Sequence, residues 1–257
     1  MMIDGTPPPD GVRCLPQHGQ FLSPTDDTTA AIPGRDGQLW LRGRQKAREF
    51  DVAVVARAAS RAALAALLDA TAAWLAGRGP VRLVFDEELP DRGWTARLAT
   101  GLSWELAKAS LRVRCDIGFV ADDPHAYALV DDVATLTAPG TVARAKGNAP
   151  SEPVIEVAGA LTASQTVTLD LWGKPLQISG PLAAGQKIRL DFREGLHSVV
   201  DASGDPVRLL TGQLSSSARR TVFARDRAIC PAGGGPVSWT TTGAVSQVRV
   251  ECNSRWL

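Results

Sequence analysis

The chain has 257 residues, with 28 Lys and Arg against 27 Asp and Glu, for a formal charge of +1. A content of 44% apolar and 21% charged residues excludes a disordered chain and leaves enough apolar matter for a real core. Residues 1–125 carry a net −1 and residues 126–257 a net +2, so neither half is a basic polyphosphate-binding module.

No stretch approaches the roughly 18 uninterrupted apolar residues of a membrane helix, so no membrane insertion is expected. The opening MMIDGTPPPDG lacks the basic start and apolar run of a signal peptide. Four dispersed cysteines, Cys14, Cys115, Cys230 and Cys252, do not make a disulfide scaffold, and they are expected as free thiols of a protein made in the cytoplasm. With 24 Gly and 17 Pro, turns are favoured over long helices.

In chain order, residues 1–30 are rich in Pro, Gly, Asp and Thr and read as an irregular lead-in. Ile32-Pro33-Gly34-Arg35-Asp36-Gly37 packs two turn signals into six residues and predicts a tight exposed loop. From Leu41, Arg42, Arg44, Lys46 and Arg48 fall at period two, and Phe50, Val52 and Val54 continue that parity. One extended strand would carry all seven on one face unless a bulge near Glu49 shifts the register. Ser60 is the expected N-cap of a helix whose Leu64, Leu67, Leu68, Thr71 and Leu75 form one buried stripe, ended by Gly77 and Gly79-Pro80. Strands are expected at Val81–Phe85 and Trp94–Leu98, across the acidic turn Asp86-Glu87-Glu88. Leu111–Phe119 alternates cleanly, with Leu, Val, Cys, Ile and Phe on one side.

An α+β unit over 31–125 is therefore expected, then a Pro/Gly/Ser-punctuated connector over 126–150. Over 151–257, short apolar runs recur between turn residues, from Val154–Val157 through Thr221–Ala224 to Val245–Cys252. That spacing predicts an all-β sandwich or barrel.

Little points to catalysis or cofactors. Cys14 and His18 form one C-x3-H pair without the second pair that a zinc site requires. Cys115 alternates as a core residue. The phosphate-loop, nucleophile-elbow and zinc-protease motifs are missing, and Gly233-Gly234-Gly235 is not followed by a Lys and a helix. Asp170 and Asp191, on expected strands, are the carboxylate pair to test for glycosidase chemistry, against their plainer reading as solvated residues. Trp172 and Trp239 are the candidate glycan contacts, against core or interface packing. The basic row of Arg42, Arg44, Lys46 and Arg48 reads as a charged edge that blocks strand pairing, as a subunit contact, or as a face turned toward nucleic acid. The near-zero net charge favours the subunit contact over nucleic acid.

Several of these pieces together resemble the distal tail protein (Dit, siphovirus tail component) family of long, non-contractile-tailed bacteriophages, over about residues 25–257. They are the Ile32–Gly37 loop, the strand Arg48–Val55, the helix ending Ala72-Ala73-Trp74-Leu75, and a strand closing in Phe119. Asp123-Pro124-His125-Ala126-Tyr127 then resembles the family's aspartate-proline-x-alanine-tyrosine junction. Ala149–Val157 resembles the entry strand of its C-terminal domain, Pro231-Ala232-Gly233 its late turn, and Ser254-Arg255-Trp256 its basic-aromatic finish. The chain departs from the pattern in having Gly-Gly-Gly-Pro where an Asn is common, and no aromatic residue directly after Pro124.

The resemblance implies a ring-forming α+β belt domain of mostly antiparallel strands with one long helix, then a galectin-like or carbohydrate-module-like sandwich. It implies a structural hub at the virion tail tip, not an enzyme, with no cofactor or metal. Its implied partners are itself as a homohexameric ring, the tail tube and tape measure proteins, the tail-associated hub protein and receptor-binding proteins. Arg35, Asp36, Arg42, Arg44, Lys46 and Arg48 would then lie at a subunit interface or the channel, with Asp86–Glu88 of a neighbour as their counterpart. The alternative is a carbohydrate-binding module that meets host-surface glycan through Trp172 or Trp239.

Overall fold

The computed structural model describes residues 1–17, 23–34, 36–76, 79–85, 87–104, 111–210, 212–215 and 227–257. The chain divides into a first unit of residues 1–129 with Leu257 and a second of residues 130–256.

The strands of the first unit are β1 (Met2–Ile3), β2 (Val12–Pro16), β3 (Thr25–Ala31), β4 (Gln38–Gln45), β5 (Arg48–Arg57), β6 (Val81–Val84), β7 (Arg92–Leu98), β8 (Arg112–Ala121) and β9 (Ala126–Ala128). Its main sheet runs in the order β1-β6-β7-β8-β5-β2, every neighbouring pair antiparallel, and β9 also pairs with β7. The stretch read as an irregular lead-in therefore supplies both edges of this sheet and the first strand of a hairpin. Met2 pairs with Val84 and Val12 with Ala56, so partners far along the chain satisfy backbone groups that the local Pro-Gly composition leaves open.

The alternation in β8 buries Val113, Cys115, Ile117 and Phe119, and β5 buries Phe50, Val52, Val54 and Ala56. The helix α1 (Arg61–Leu75) is capped as expected: the Ser60 side chain accepts from the Ala63 amide at 3.2 Å. Leu64, Thr71 and Leu75 are buried and Leu67 and Leu68 half-buried, so the stripe is where the spacing put it. At 15 residues this helix is short, not the long one the family implied. Gly77, expected to end it, lies outside the described residues.

Strands β3 and β4 form a two-stranded sheet of their own, apart from the main one. The single strand expected from Arg42 to Val54 is thus two strands in two sheets. The break falls at Lys46-Ala47, where the Lys46 amide donates to the Pro24 carbonyl at 2.8 Å and diverts the chain before β5 begins. The seven residues of one parity do not share a face.

The second unit is β throughout its described residues: β10 (Val133–Leu136), β11 (Gly140–Ala143), β12 (Val154–Ala160), β13 (Thr166–Leu171), β14 (Lys174–Ser179), β15 (Lys187–Asp191), β16 (Leu196–Val200), β17 (Pro206–Leu209), β18 (Gly234–Thr241) and β19 (Ala244–Glu251). A six-stranded sheet, β10-β19-β12-β15-β16-β17, and a four-stranded sheet, β11-β18-β13-β14, share one apolar core. Ile155, Val157, Leu190 and Val250 from one sheet meet Leu169, Leu171, Leu176 and Ile178 from the other, all fully buried. This is the two-layer arrangement that alternating strands produce when each has one wet face. The stretch read as a connector is structured, since it holds β9 in the first unit and β10 and β11 in the second. The strand expected at Thr221–Ala224 lies outside the described residues.

One buried cation organises the second unit. Arg144 is 4% exposed, and its guanidinium donates to the carbonyls of Lys146, Ala149, Cys230, Pro231 and Arg255 at 2.7–3.3 Å. Five carbonyl dipoles take the place of a carboxylate and tie separate segments of chain together.

Candidate functional site

The β3–β4 hairpin is the most unusual surface in the molecule. Apart from two half-buried residues, Ala30 and Gln45, every residue of its two strands is exposed. Three consecutive bulky apolar residues stand in water: Leu39 is 46% exposed, Trp40 60% and Leu41 52%. Leu41 is the extra residue of a bulge, since Thr28 pairs with Arg42 and Thr29 with Trp40. The sequence permits this geometry at Gly43, where a Cβ would lie 2.6 Å from Asp27 Oδ1 and 3.3 Å from the Trp40 ring.

The basic row divides in space. Arg42 and Arg44 lie on β4, opposite Thr28 and Asp26, and Lys46 follows with its Nζ 3.6 Å from Asp26 Oδ1. Both partners of that pair are more than half exposed, so the bond is worth little in water. Asp36 is exposed at the tip of the hairpin, and Arg35 lies outside the described residues.

Arg48 belongs to another place: it is 4% exposed, with its guanidinium 5.1 Å from the Trp94 ring and 5.5 Å from Phe50. It closes an aromatic cluster in which the Phe50, Phe85 and Trp94 centroids are 5.1–5.8 Å apart. Burial lowers its pKa. Its parity with Phe50 in β5, not its charge, decides where it points. Of the acidic turn, Glu87 and Glu88 are exposed, and Asp86 lies outside the described residues.

The other candidates have structural work. Asp170 Oδ1 accepts from the Gly173 amide at 2.8 Å, and Asp191 Oδ1 from the Glu194 amide at 2.9 Å. Each carboxylate closes its own turn, and the two sit on strands of different sheets, so the structure does not bring them together as a pair. Trp172 and Trp239 are half-buried and packed against the core, not displayed as a platform. Trp172 occupies the two-residue turn between β13 and β14 with φ +53°, beside Gly173 at +80°, the twist that a tight hairpin favours. Gly235 makes room for its ring: a Cβ there would lie 2.9 Å from Trp172 Cδ1. The late Gly-Gly-Gly run is thus a packing feature.

Cys115 is buried, and burial first, with the charge of Asp116 second, pushes its thiol up to about 11, so it is no nucleophile at neutral pH. His18 lies outside the described residues, and among those described no group of three or more His, Cys, Asp or Glu is placed to hold a metal ion.

At the end of the first unit, Asp123 Oδ1 accepts from the His125 backbone amide at 3.1 Å and lies 2.7 Å from His125 Nδ1, and Oδ2 accepts from the Tyr127 hydroxyl at 2.5 Å. Burial alone would raise its pKa, but the hydrogen bonds of His125 and Tyr127 outweigh it and hold the carboxyl at about 2. The aspartate-proline-x-alanine-tyrosine pattern is therefore a self-contained lock.

The fold is thus a mixed unit with an exposed hairpin, followed by a two-layer β unit. Residues 14–113 match the family model of the phage tail protein RIFT-related domain. Over its whole length the fold is that of the SPP1 Dit protein, described as a paradigm of the hub adsorption apparatus in phages infecting Gram-positive hosts. The TM-score is 0.72 at 17% identity, covering 100% of this chain and 98% of that one. Chains of the phage P2 baseplate, in its activated conformation with Ca and with Sr, match at a TM-score of 0.51 and 7% and 8% identity. They cover 94% and 96% of this chain and 91% and 92% of theirs. No curated protein matches the chain.

Proposed function

We propose that the protein is a structural hub of a phage or phage-like tail tip, a homohexameric ring that joins the tail tube to the baseplate and receptor-binding apparatus. The observation that carries this reading is the exposed β3–β4 hairpin. A two-stranded hairpin is marginal in water by itself, and one that displays Leu39, Trp40 and Leu41 is complete only when another surface covers it. The whole-length likeness to a hub protein and to baseplate chains supports the same reading.

In this reading the first unit is the belt, and its ring closes by heterologous contacts, one patch meeting a different patch on the next copy. Arg42, Arg44 and Lys46 stand at that contact, with the loop of Arg35 and Asp36 at its tip. The second unit points outward as a galectin-like or carbohydrate-module-like sandwich. The tail tube and tape measure proteins meet one side of the ring, and the tail-associated hub and receptor-binding proteins the other. The protein acts at the virion tail tip after synthesis in the host cytoplasm, and it does no catalysis. The packing of Trp172 and Trp239 against the core takes support from the glycan-binding alternative.

The test is the mass of the purified chain in solution across salt concentrations, with negative-stain images of any large species. A closed hexamer with a central opening is expected; a strict monomer at every concentration and salt would overturn the ring. Reversing Arg44 and Lys46 together to Glu sharpens it: assembly weakens at low salt and recovers in part at high salt, because a screened contact loses its repulsion as well as its attraction.

A further inference from the structure

Two thiols of the second unit meet in its core. Cys230 lies shortly before β18 and Cys252 directly after β19, and neither has any exposed surface. Ser151, itself fully buried, holds both in place. It exchanges backbone hydrogen bonds with Cys230 at 2.8 and 2.9 Å, and its hydroxyl donates to the Cys252 carbonyl at 2.6 Å. The two thiols hydrogen-bond each other, and the Arg144 guanidinium lies within hydrogen-bonding reach of the Cys230 sulfur. The described backbone partners of that guanidinium are all carbonyls, so the Cys230 thiol is the group beside it that can take a negative charge. The hydrogen bond from Cys252 first, then the charge of Arg144, outweigh burial and lower the Cys230 pKa, whereas the same bond and burial raise that of Cys252. One member of the pair gives up its proton and the other keeps it.

We infer that Cys230 and Cys252 are an oxidisable dithiol, which hydrogen peroxide closes into an internal disulfide. The Cys230 thiolate attacks one peroxide oxygen, the O–O bond breaks, hydroxide leaves with the proton that Cys230 gave up, and Cys230 becomes a sulfenic acid. The Cys252 sulfur then attacks the Cys230 sulfur, the S–S bond forms, and the hydroxyl leaves as water with the Cys252 proton. Two thiols are oxidised, one peroxide is reduced, and two waters form. Burial selects this oxidant, since a bulky disulfide reagent cannot seat on a thiol without exposed surface and peroxide is close to water in size. The bond ties the approach to β18 to the end of β19, strands of different sheets, and so staples the two layers of the unit. Cys115 is the contrast within the same chain: it is also buried, but burial and the Asp116 charge push its thiol up to about 11.

The test treats the full chain with hydrogen peroxide at neutral pH, quenches it in acid and maps its peptides without reduction. A linked pair of peptides holding Cys230 and Cys252, lighter by two hydrogens, is expected to form about tenfold or more faster than Cys115 is lost. Cys230→Ser is expected to slow the oxidation of Cys252 by about tenfold or more, and Cys252→Ser to leave a sulfenic acid on Cys230 that a dimedone probe captures once the chain is unfolded. A wild-type chain whose Cys14 or Cys115 is consumed while Cys230 and Cys252 stay reduced overturns the inference, and so does oxidation of Cys230 and Cys252 with no bond between them. Both of those outcomes are read on the wild type, so neither depends on how the variants fold.

Discussion

Two tryptophans sit on hairpins of this molecule and are put to opposite uses. Trp172 lies in the turn between β13 and β14, packed on the core with Gly235 cut away to admit it. Trp40 lies on a hairpin with no core behind it and keeps 60% of its surface in water. The same side chain, in the same kind of local structure, serves stability in one unit and is left over in the other. What differs is the second layer: the four-stranded sheet faces a six-stranded partner within the chain, and the β3–β4 pair has none among the described residues.

The comparison breaks most sharply at Arg144, because the second unit holds itself together where the hairpin does not. Arg144→Met keeps the length of the side chain and removes every donor, taking the Arg144 bond from the buried Ala149 carbonyl, while the Cys230 carbonyl keeps the Ser151 amide. With the bond to the buried Ala149 carbonyl at about 1–3 kcal/mol and each of the other lost bonds at about 0.5–1.5 kcal/mol, a loss of about 3–5 kcal/mol is expected in urea unfolding of the full chain. A loss below about 1 kcal/mol would mean that the five bonds are replaceable and the unit is held by its apolar core alone.

The tryptophans themselves give the next effect. Trp172→Ala removes a half-buried ring from a packed site and is expected to destabilise by about 2–3 kcal/mol, somewhat less than a fully buried Trp. Trp40→Ala is expected to stay within about 0.5 kcal/mol of wild type in the monomer, as an exposed substitution does. Comparable losses from both, under conditions where the chain is monomeric, would show that the hairpin is covered intramolecularly.

Much of this fold is legible along the chain, and the failures have physical reasons. The α1 stripe and the alternation of β8 are local patterns, read at 3.6 and 2 residues, and the structure repeats them except at Leu111, which lies just before β8 and is exposed. The break between β4 and β5 is not local. No Gly or Pro stands at Lys46-Ala47, and the parity runs on through it; only the bond from Lys46 to Pro24, a contact twenty-two residues back, reveals it. The edges β1 and β2 are invisible for the same reason, being strands because of distant partners. On the hairpin, the basic row of Arg42, Arg44 and Lys46 is legible as a charged strand, and Leu39-Trp40-Leu41 beside it is a second signal, since strand alternation leaves three adjacent bulky apolar residues no single face on which to hide. Nothing in the sequence around Arg144 announces a buried cation, because its partners are carbonyls, which every residue has.

The smallest expected effect lies in the Asp123 lock of the first unit. Its carboxyl, held at about 2 against an ordinary value near 3.9, favours the folded state whenever it is ionised. The sign follows from linkage: a folded pKa below the unfolded one contributes in full above about pH 4, shrinks as the pH falls, and is gone below about 2. The side chain of Asp123 is 41% exposed, so solvent screens the contribution and keeps it modest. Asp123→Asn keeps an oxygen for the Tyr127 hydroxyl but has no charge to titrate. The urea midpoint of the wild type is therefore expected to drop more steeply than that of Asp123→Asn between pH 4 and pH 2, the two curves converging at the acid end. Parallel curves would mean that the lock is held by shape and by the backbone amide of His125, leaving the ionised carboxylate without a role in holding the segment between β8 and β9.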